Sequence, residues 1–285
     1  MPVAVVFGAS GAIGRFLLPR LLAADHDVLA VSREVRASGN ARLRWVKGDL
    51  PRNDPPLPPG ATIFSLGPLD AFAEWFAAHG PRDARVVAIG SRSIETKKDS
   101  ADSGEREIAA RLARAEASLD RAGAAITVLR ATLIWGAGLD RSLTPIVAFA
   151  QRWRVFPYVT GAKGLRQPVH AGDLADACVT LARRVPPRRV YDVGGGERIA
   201  FSAMLRRVHA SLPFPALAVP VPIALARAGA GIARISPAFR AANAGALARI
   251  REDLVADPSA AAADFGWSPR GFEPAARDWT PPPLP

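Results

Sequence analysis

An apolar run, "VAVVFG", is followed at once by glycines in the spacing G-x-x-G-x-x-G, at Gly8, Gly11 and Gly14, and then by the helical stretch "RFLLPRLLAAD". No other feature narrows the fold as far. A strand that ends in a glycine turn and opens a helix lets backbone N–H groups approach a diphosphate. It also points the positive end of the helix dipole at that charge. The first gap is one residue longer than in the G-x-G-x-x-G dinucleotide fingerprint, but the physics carries over. The triplet has weight because a strand precedes it and a helix follows. Gly8, Ser10, Gly11, Ala12, Ile13 and Gly14 are therefore the expected phosphate-side contacts.

Downstream, short β-branched runs alternate with helical stretches. "DVLAVSR", "LRWVKGDL", "ATIFSLG", "RVVAIGS" and "AITVLRATLIWG" read as strands. Helices are expected near Ala71–His79 and over "SGEREIAARLARAEASLDRAG", with Ser103 as cap and Gly123 as stop. In that long helix Ile108, Leu112, Ala115 and Leu119 share one face. Such alternation predicts an α/β fold, a Rossmann-like, doubly wound parallel sheet. Beyond Leu139 prolines become frequent and the alternation loosens. The expected organisation is a dinucleotide-binding domain over 1–160, its sheet completed by part of 161–200, and smaller substrate-domain elements over 200–285. The tail "WTPPPLP" reads as extended and exposed.

The end of the second strand bears on the coenzyme. An NAD site places Asp or Glu about 20 residues on, to bind the ribose 2′-hydroxyl. Ser32 and Arg33 stand 18 and 19 residues after Gly14. A hydroxyl and a guanidinium suit a 2′-phosphate, so NADP is the expected coenzyme, with Glu34 leaving room for NAD. Asp49, ending "KGD", is placed to bind the adenine amine. Leu50 beside it, and Leu66 and Gly67 after the fourth strand, complete the expected coenzyme contacts.

Charge and cysteine content exclude other classes. The net charge is +11, from 37 basic and 26 acidic residues, but the arginines are scattered rather than clustered among aromatics. A nucleic-acid surface is not expected; a diffuse positive field suits an anionic small-molecule substrate. With Cys178 alone, no internal disulfide forms, which fits a reducing, cytoplasmic setting. With the first strand starting a few residues in, no signal segment is expected before it. The apolar stretch Ala216–Ile235 contains Pro220, Pro222, Arg227 and Arg234. It reads as a buried or partner-facing helix after a proline-rich turn rather than as a membrane span. A homodimer is compatible with the sequence.

Four blocks carry a family resemblance: "GASGAIGR", "GDL", "LRQPVHAGDLADA" and "DPSAAAADFGWSPRGFEP". On these the chain resembles the extended short-chain dehydrogenases/reductases, the NAD-dependent epimerase/dehydratase family, over nearly its whole length. The resemblance implies a substrate domain after the Rossmann-like domain, and nucleotide sugars or related carbonyl and alcohol compounds as substrates. It implies that Arg166 binds substrate phosphate, with His170 nearby and Arg249 and Arg251 as a looser second contact.

The family's Tyr-x-x-x-Lys pair is missing. Tyr158 is followed at the fourth position by Ala162, and Tyr191 by Gly195. When Glu116 is aligned with the glutamate that follows the pair, the tyrosine falls on Ile108 and the lysine on Leu112. Neither moves a proton. The loop "GSRSIETKKDS" offers substitutes, so Ser91, Ser93 and Lys97 are the catalytic candidates, and Lys98 a solvated cation. In "LRATLIWGAG", Ala131 replaces the family's proline; Arg130 is expected to anchor the fold, and Thr132 and Leu133 to flank the nicotinamide. Two functions follow: an NADP-dependent oxidoreductase or epimerase with an altered proton relay, or a coenzyme-binding sensor, regulator or assembly subunit without turnover. The second draws on a loose resemblance to an accessory subunit of respiratory complex I and to a nitrogen-metabolite-repression regulator.

Overall fold

The computed structural model describes residues 2–52, 55–222 and 249–285. Its centre is a sheet of seven parallel strands: β1 (Val3–Phe7), β2 (Asp27–Ser32), β3 (Leu43–Lys47), β4 (Thr62–Ser65), β5 (Arg85–Ser91), β6 (Ala125–Ala131) and β11 (Val190–Val193). The order is β3-β2-β1-β4-β5-β6-β11, which reverses direction at β1. Ligands of such sheets lie outside the carboxyl ends of the strands at that reversal.

The inner strands are apolar on both faces because helices cover both. Alternate residues serve different cores. Ala4 and Val6 of β1 join Phe64, Leu129 and Tyr191 beneath α1 (Ala12–Ala23) and α6 (Ala171–Arg183). Val5 and Phe7 join Ile63, Val86 and Val128 beneath α2 (Leu69–His79) and α4 (Ser103–Arg121). Pro19 sits exposed within α1 and does not end it.

Several elements differ from the sequence reading. The expected strand "AITVLRATLIWG" splits after Ala131. Thr132 donates its backbone N–H to Val193 O at 3.1 Å, and β7 (Ile134–Trp135) leaves the main sheet to pair with β10 (Val169–His170). A short helix, α3 (Ser93–Thr96), interrupts the loop after β5. The cap of α4 is Asp102, not Ser103; its carboxylate accepts the Glu105 N–H at 3.0 Å.

A third core lies beyond the sheet. It joins α5 (Thr144–Trp153), β8 (Val155–Thr160), α7 (Phe201–Ala210), Phe272 and Trp279. β9 (Leu165–Arg166) pairs antiparallel with β12 (Ile199–Ala200). The beginning of the expected 216–235 helix is instead a strand, β13 (Leu217–Pro222), parallel to β8; its alternating valines and prolines suit a half-exposed edge. The rest of that stretch, from 223, lies outside the described residues, as does the expected helix there. α8 (Ser259–Phe265) packs on β11 and α6, on the first core. The C-terminal tail is not simply exposed: Trp279 is buried and Leu284 packs against the first core. Among the described residues, no helix is long and apolar enough to cross a membrane.

Candidate coenzyme and substrate site

The glycine loop is built by close backbone approach. Gly8 has φ +75°, a left-handed conformation that favours glycine. A side chain there would also meet Gly67 N at 3.0 Å and Leu66 C at 3.1 Å, so the loop after β4 abuts the loop after β1. Gly11 donates its N–H to Gly8 O at 2.9 Å, which closes the turn. At Gly14 a Cβ would stand 2.6 Å from the Ala9 carbonyl carbon and 2.8 Å from its Cα, so only glycine lets α1 start this near the strand. α1 begins at Ala12 with no side-chain cap and no acid in its first turn. Its first N–H groups thus meet no carboxylate of their own, which is the arrangement a diphosphate requires.

Ser10, Ser32, Leu66 and Gly67 are brought to this loop. The hydroxyls of Ser10 and Ser32 share a hydrogen bond at 3.3 Å, and Ser32 Oγ also accepts the Glu34 N–H at 3.4 Å. Ser32 is buried, while Arg33 and Glu34 are exposed. Glu34 pairs with Arg36 at 3.1 Å. Asp49 and Leu50 are half-buried just past β3, with Leu50 packed on the second core.

At the end of β5, Ser91 Oγ accepts the Ser93 N–H at 3.1 Å. Both serines are half-buried. Lys97 is not a free loop cation. Its Nζ lies 3.7 Å from Glu105 Oε1, and the Glu105 side chain is only 1% exposed. Ser100 Oγ donates to the other Glu105 oxygen at 2.7 Å. Sequence reading missed Glu105. Its only local signal was a carboxylate three residues after a capping aspartate, the position that usually faces the helix terminus. Lys98 is the solvated partner of Glu95, at 3.2 Å, and its hydrogen bond holds that carboxyl below its ordinary value. Ile108 and Leu112, aligned with the missing dyad, are half-buried apolar residues on α4.

Beside these residues lies a network that the sequence only hinted at. Arg130 grips Glu116 with bonds of 2.6 to 3.2 Å and reaches Glu95 at 3.4 Å. The Glu116 hydrogen bonds raise the Arg130 guanidinium above its ordinary value. Arg92 pairs with Asp192 at 3.0 Å. Burial lifts the Asp192 carboxyl above its usual range even against the pull of Arg92 and Arg130.

Arg166 and His170 lie on a different path. Arg166 is 5% exposed. Its Nη1 donates to the carbonyls of Leu165 at 2.8 Å and Glu252 at 2.7 Å, and its guanidinium lies over Phe201. Burial lowers its pKa. Arg249 and Arg251 form the short 3-10 turn just before Glu252. His170 caps α6: its Nδ1 accepts the Gly172 N–H at 3.0 Å. Its Nε2 is 3.7 Å from Asp278, and its ring meets Trp135 and Phe16. Burial raises the Asp278 carboxyl, but hydrogen bonds from His170 and Ala275 outweigh it and leave the group below its ordinary value. Asp173 accepts two bonds from Arg270, at 2.8 and 3.0 Å. Among the described residues, no cluster of His, Cys, Asp and Glu suits a metal ion.

Residues 4–55 match the sequence profile of the NAD dependent epimerase/dehydratase family, the family implied by the motifs. No curated protein matches the sequence significantly. Solved structures match the fold over nearly the whole length. MoeE5 in complex with UDP-glucose and NAD is 19% identical, with 98% of this chain and 97% of that one covered and a TM-score of 0.64. UDP-glucuronic acid 4-epimerase from Bacillus cereus, in complex with NAD, is 12% identical, with 98% of each chain covered and a TM-score of 0.67. TunA, an NAD dependent NDP-hexosamine 5,6-dehydratase, is 14% identical, with 98% and 97% covered and a TM-score of 0.67. These comparisons overturn the expectation of NADP: the coenzyme named with these similar structures is NAD. The geometry supplies a reason. The Ser32 hydroxyl, taken for a phosphate ligand, is buried and engaged by Ser10 and by the Glu34 N–H.

Proposed function

We propose, from the premise that residues 4–55 carry the NAD dependent epimerase/dehydratase match, that this chain binds NAD. We further propose that it acts on a nucleotide sugar or a related small carbonyl or alcohol compound. The observation that carries the reading is the fit of the glycine loop: the space a Cβ at Gly8 or Gly14 would fill is taken by backbone, and the start of α1 offers uncapped N–H groups. In this reading the N–H groups of Ala12, Ile13 and Gly14 bind the diphosphate. Glu34, two residues past β2, accepts from the ribose hydroxyl. Asp49 and Leu50 flank the adenine, and Leu66 and Gly67 line the opposite wall. Bound NAD would supply hydride transfer to and from a substrate carbon. Residues 1–160, with β11 contributed from 161–200, form the coenzyme side; the smaller elements of 200–285 form the substrate side.

The chain's own proton handling departs from a Tyr-x-x-x-Lys relay, because Ile108 and Leu112 hold those positions. Ser91 and Ser93 supply hydroxyls at the end of β5. Lys97, tethered by Glu105, supplies a positioned cation that polarises a substrate oxygen. Arg166 and His170 belong to the substrate side.

A second reading, coenzyme binding without turnover, is favoured by the same tether and by the apolar residues at the dyad positions. Calorimetry with NAD+ and NADH, followed by a screen of UDP- and dTDP-sugars, separates the two. In the enzymatic reading Lys97→Ala lowers turnover about 100-fold while Lys97→Arg, which keeps the charge, retains most of it. NAD+ binding with no turnover of any sugar establishes the second reading. Failure to bind either coenzyme form removes both.

A further inference from the structure

The C-terminal segment begins in the third core and ends on the glycine loop. Trp279 is buried there, and its indole N–H donates to Ser211 Oγ at 2.8 Å. Its backbone presses on Gly138, where a Cβ would meet the Trp279 carbonyl carbon at 2.6 Å. Next to it, Asp278 faces His170, whose ring in turn meets Phe16 of α1 at 5.2 Å. Three residues beyond Trp279, the Pro282 carbonyl accepts a hydrogen bond from Arg15 Nη1. The same guanidinium donates through Nε to the Ser10 carbonyl at 3.2 Å. Leu284 then packs against the core that contains Ile13 and Leu17. One arginine fork thus joins the backbone of the glycine loop to the tail, and one leucine seats the tail on the same core as α1.

The tail is suited to this. Pro281, Pro282 and Pro283 restrict the free chain, so ordering it costs less conformational entropy than ordering a flexible terminus would. The ties of this segment run to the glycine loop and to the third core.

We propose that residues 280–285 are a strap that holds the glycine loop in its coenzyme-binding shape, with Arg15 as the positioning residue. The proposal rests on the reading of that loop as the NAD site. Because Trp279 roots the strap in the third core, seating of the strap links that core to coenzyme affinity. By reciprocity, coenzyme binding must steady the strap as much as the strap aids binding.

The test removes residues 281–285 and, in a second variant, replaces Leu284→Ser, which keeps the backbone carbonyl of Pro282. NAD+ affinity is measured by calorimetry well below the melting temperature. Hydrogen exchange is followed in peptides covering Gly8–Arg15 and 276–285, with and without NAD+. Truncation is expected to weaken NAD+ binding about tenfold, and to speed exchange in Gly8–Arg15 even without coenzyme. NAD+ is expected to slow exchange in 276–285 of the full chain. A tail that only adds stability would lower the melting temperature and leave the affinity within about twofold; that result, or unchanged exchange in Gly8–Arg15, overturns the strap. If the full chain binds no NAD+, the coenzyme reading fails, and exchange in Gly8–Arg15 still decides whether the tail holds the loop.

Discussion

Replacing Gly14→Ala tests the coenzyme loop at its tightest point. The added carbon would sit 2.6 Å from the Ala9 carbonyl carbon, whereas ordinary contact begins at 3.4 Å. The obstacle is backbone on both sides, so no rotamer relieves it. The Ala9 carbonyl oxygen is nearer still, so the loop and the first turn of α1 must separate by at least about 0.8 Å, the difference between those two distances. Overpacking of this kind costs about 1–3 kcal/mol of stability. The effect on binding is larger, because the same displacement carries the N–H groups of Ala12, Ile13 and Gly14 off the diphosphate. Bonds to charged groups contribute about 1.5–3 kcal/mol each. Weakening two of them by half predicts a loss of about 1.5–3 kcal/mol, or roughly 10- to 150-fold in Kd. Calorimetry with NAD+ reads the affinity and a thermal melt reads the fold. Gly39→Ala is the control, since nothing lies within 4 Å of a Cβ there; it should leave both readings near wild type. NAD+ affinity for Gly14→Ala within about threefold of wild type would refute the reasoning that places the diphosphate at this turn.

Glu116→Ala leaves the Arg130 guanidinium, 20% exposed, without its bidentate partner; a loss of about 2 kcal/mol in urea denaturation is expected, and an unchanged midpoint would show the pair to be inert. Glu197 is held below its ordinary value of 4.5 first by its hydrogen bond from Arg207. Its contribution is therefore present above that value and lost as pH falls through the depressed folded value. The melting-temperature gap between wild type and Glu197→Gln should thus be larger at neutral pH than in acid; a gap that widens in acid contradicts the assignment. Cys178 is fully buried and its thiol is pushed up to about 12 by desolvation. A disulfide reagent at mildly alkaline pH should label it only after denaturation, and fast native labelling would contradict that burial.

The Rossmann half was legible because its signals are local. The turn after β1 declares itself by glycines, and the strands by β-branched runs. Even the failure of the Tyr-x-x-x-Lys pair shows in Ile108 and Leu112. What stayed hidden depends on contacts between distant segments. "AITVLRATLIWG" reads as one strand because every residue but Arg130 and Gly136 is apolar or β-branched. Its break at Thr132 follows from pairing: the Thr132 N–H goes to Val193, and Ile134 and Trp135 turn to β10. Lys97 looks free in the sequence, and its ion pair depends on a helix start that brings Glu105 back across the loop. The tail reads as solvent-exposed because four prolines and a leucine carry no periodic signal; its seat on the first core exists only once α1 is in place. Ser32 misled the coenzyme reading for the same reason, since its hydroxyl is engaged by Ser10, 22 residues away.

The excess of arginine has a structural use that its charge alone does not suggest. Repeatedly the guanidinium donates to a backbone carbonyl far along the chain. Arg85 reaches Ala182 at 2.7 Å, Arg166 reaches Glu252 at 2.7 Å, Arg198 reaches Ala256 at 3.1 Å, and Arg207 reaches Phe272 at 2.7 Å. Arg15 reaches Pro282. Four of these five acceptors lie in the C-terminal segment after residue 250, which contains little regular structure of its own. Loop carbonyls there have no ladder to satisfy them, and a long side chain with five donors in a planar fork is the group best able to reach them. A lysine offers a compact, strongly hydrated charge on a flexible stem and no planar fork, so it is less suited to this reach. Such a bond joins a cation to a neutral dipole, and Arg207 adds to it an ion pair with Glu197 at 2.7 Å. The same kind of bond, from Arg15 to the Pro282 carbonyl, brings that segment to the glycine loop.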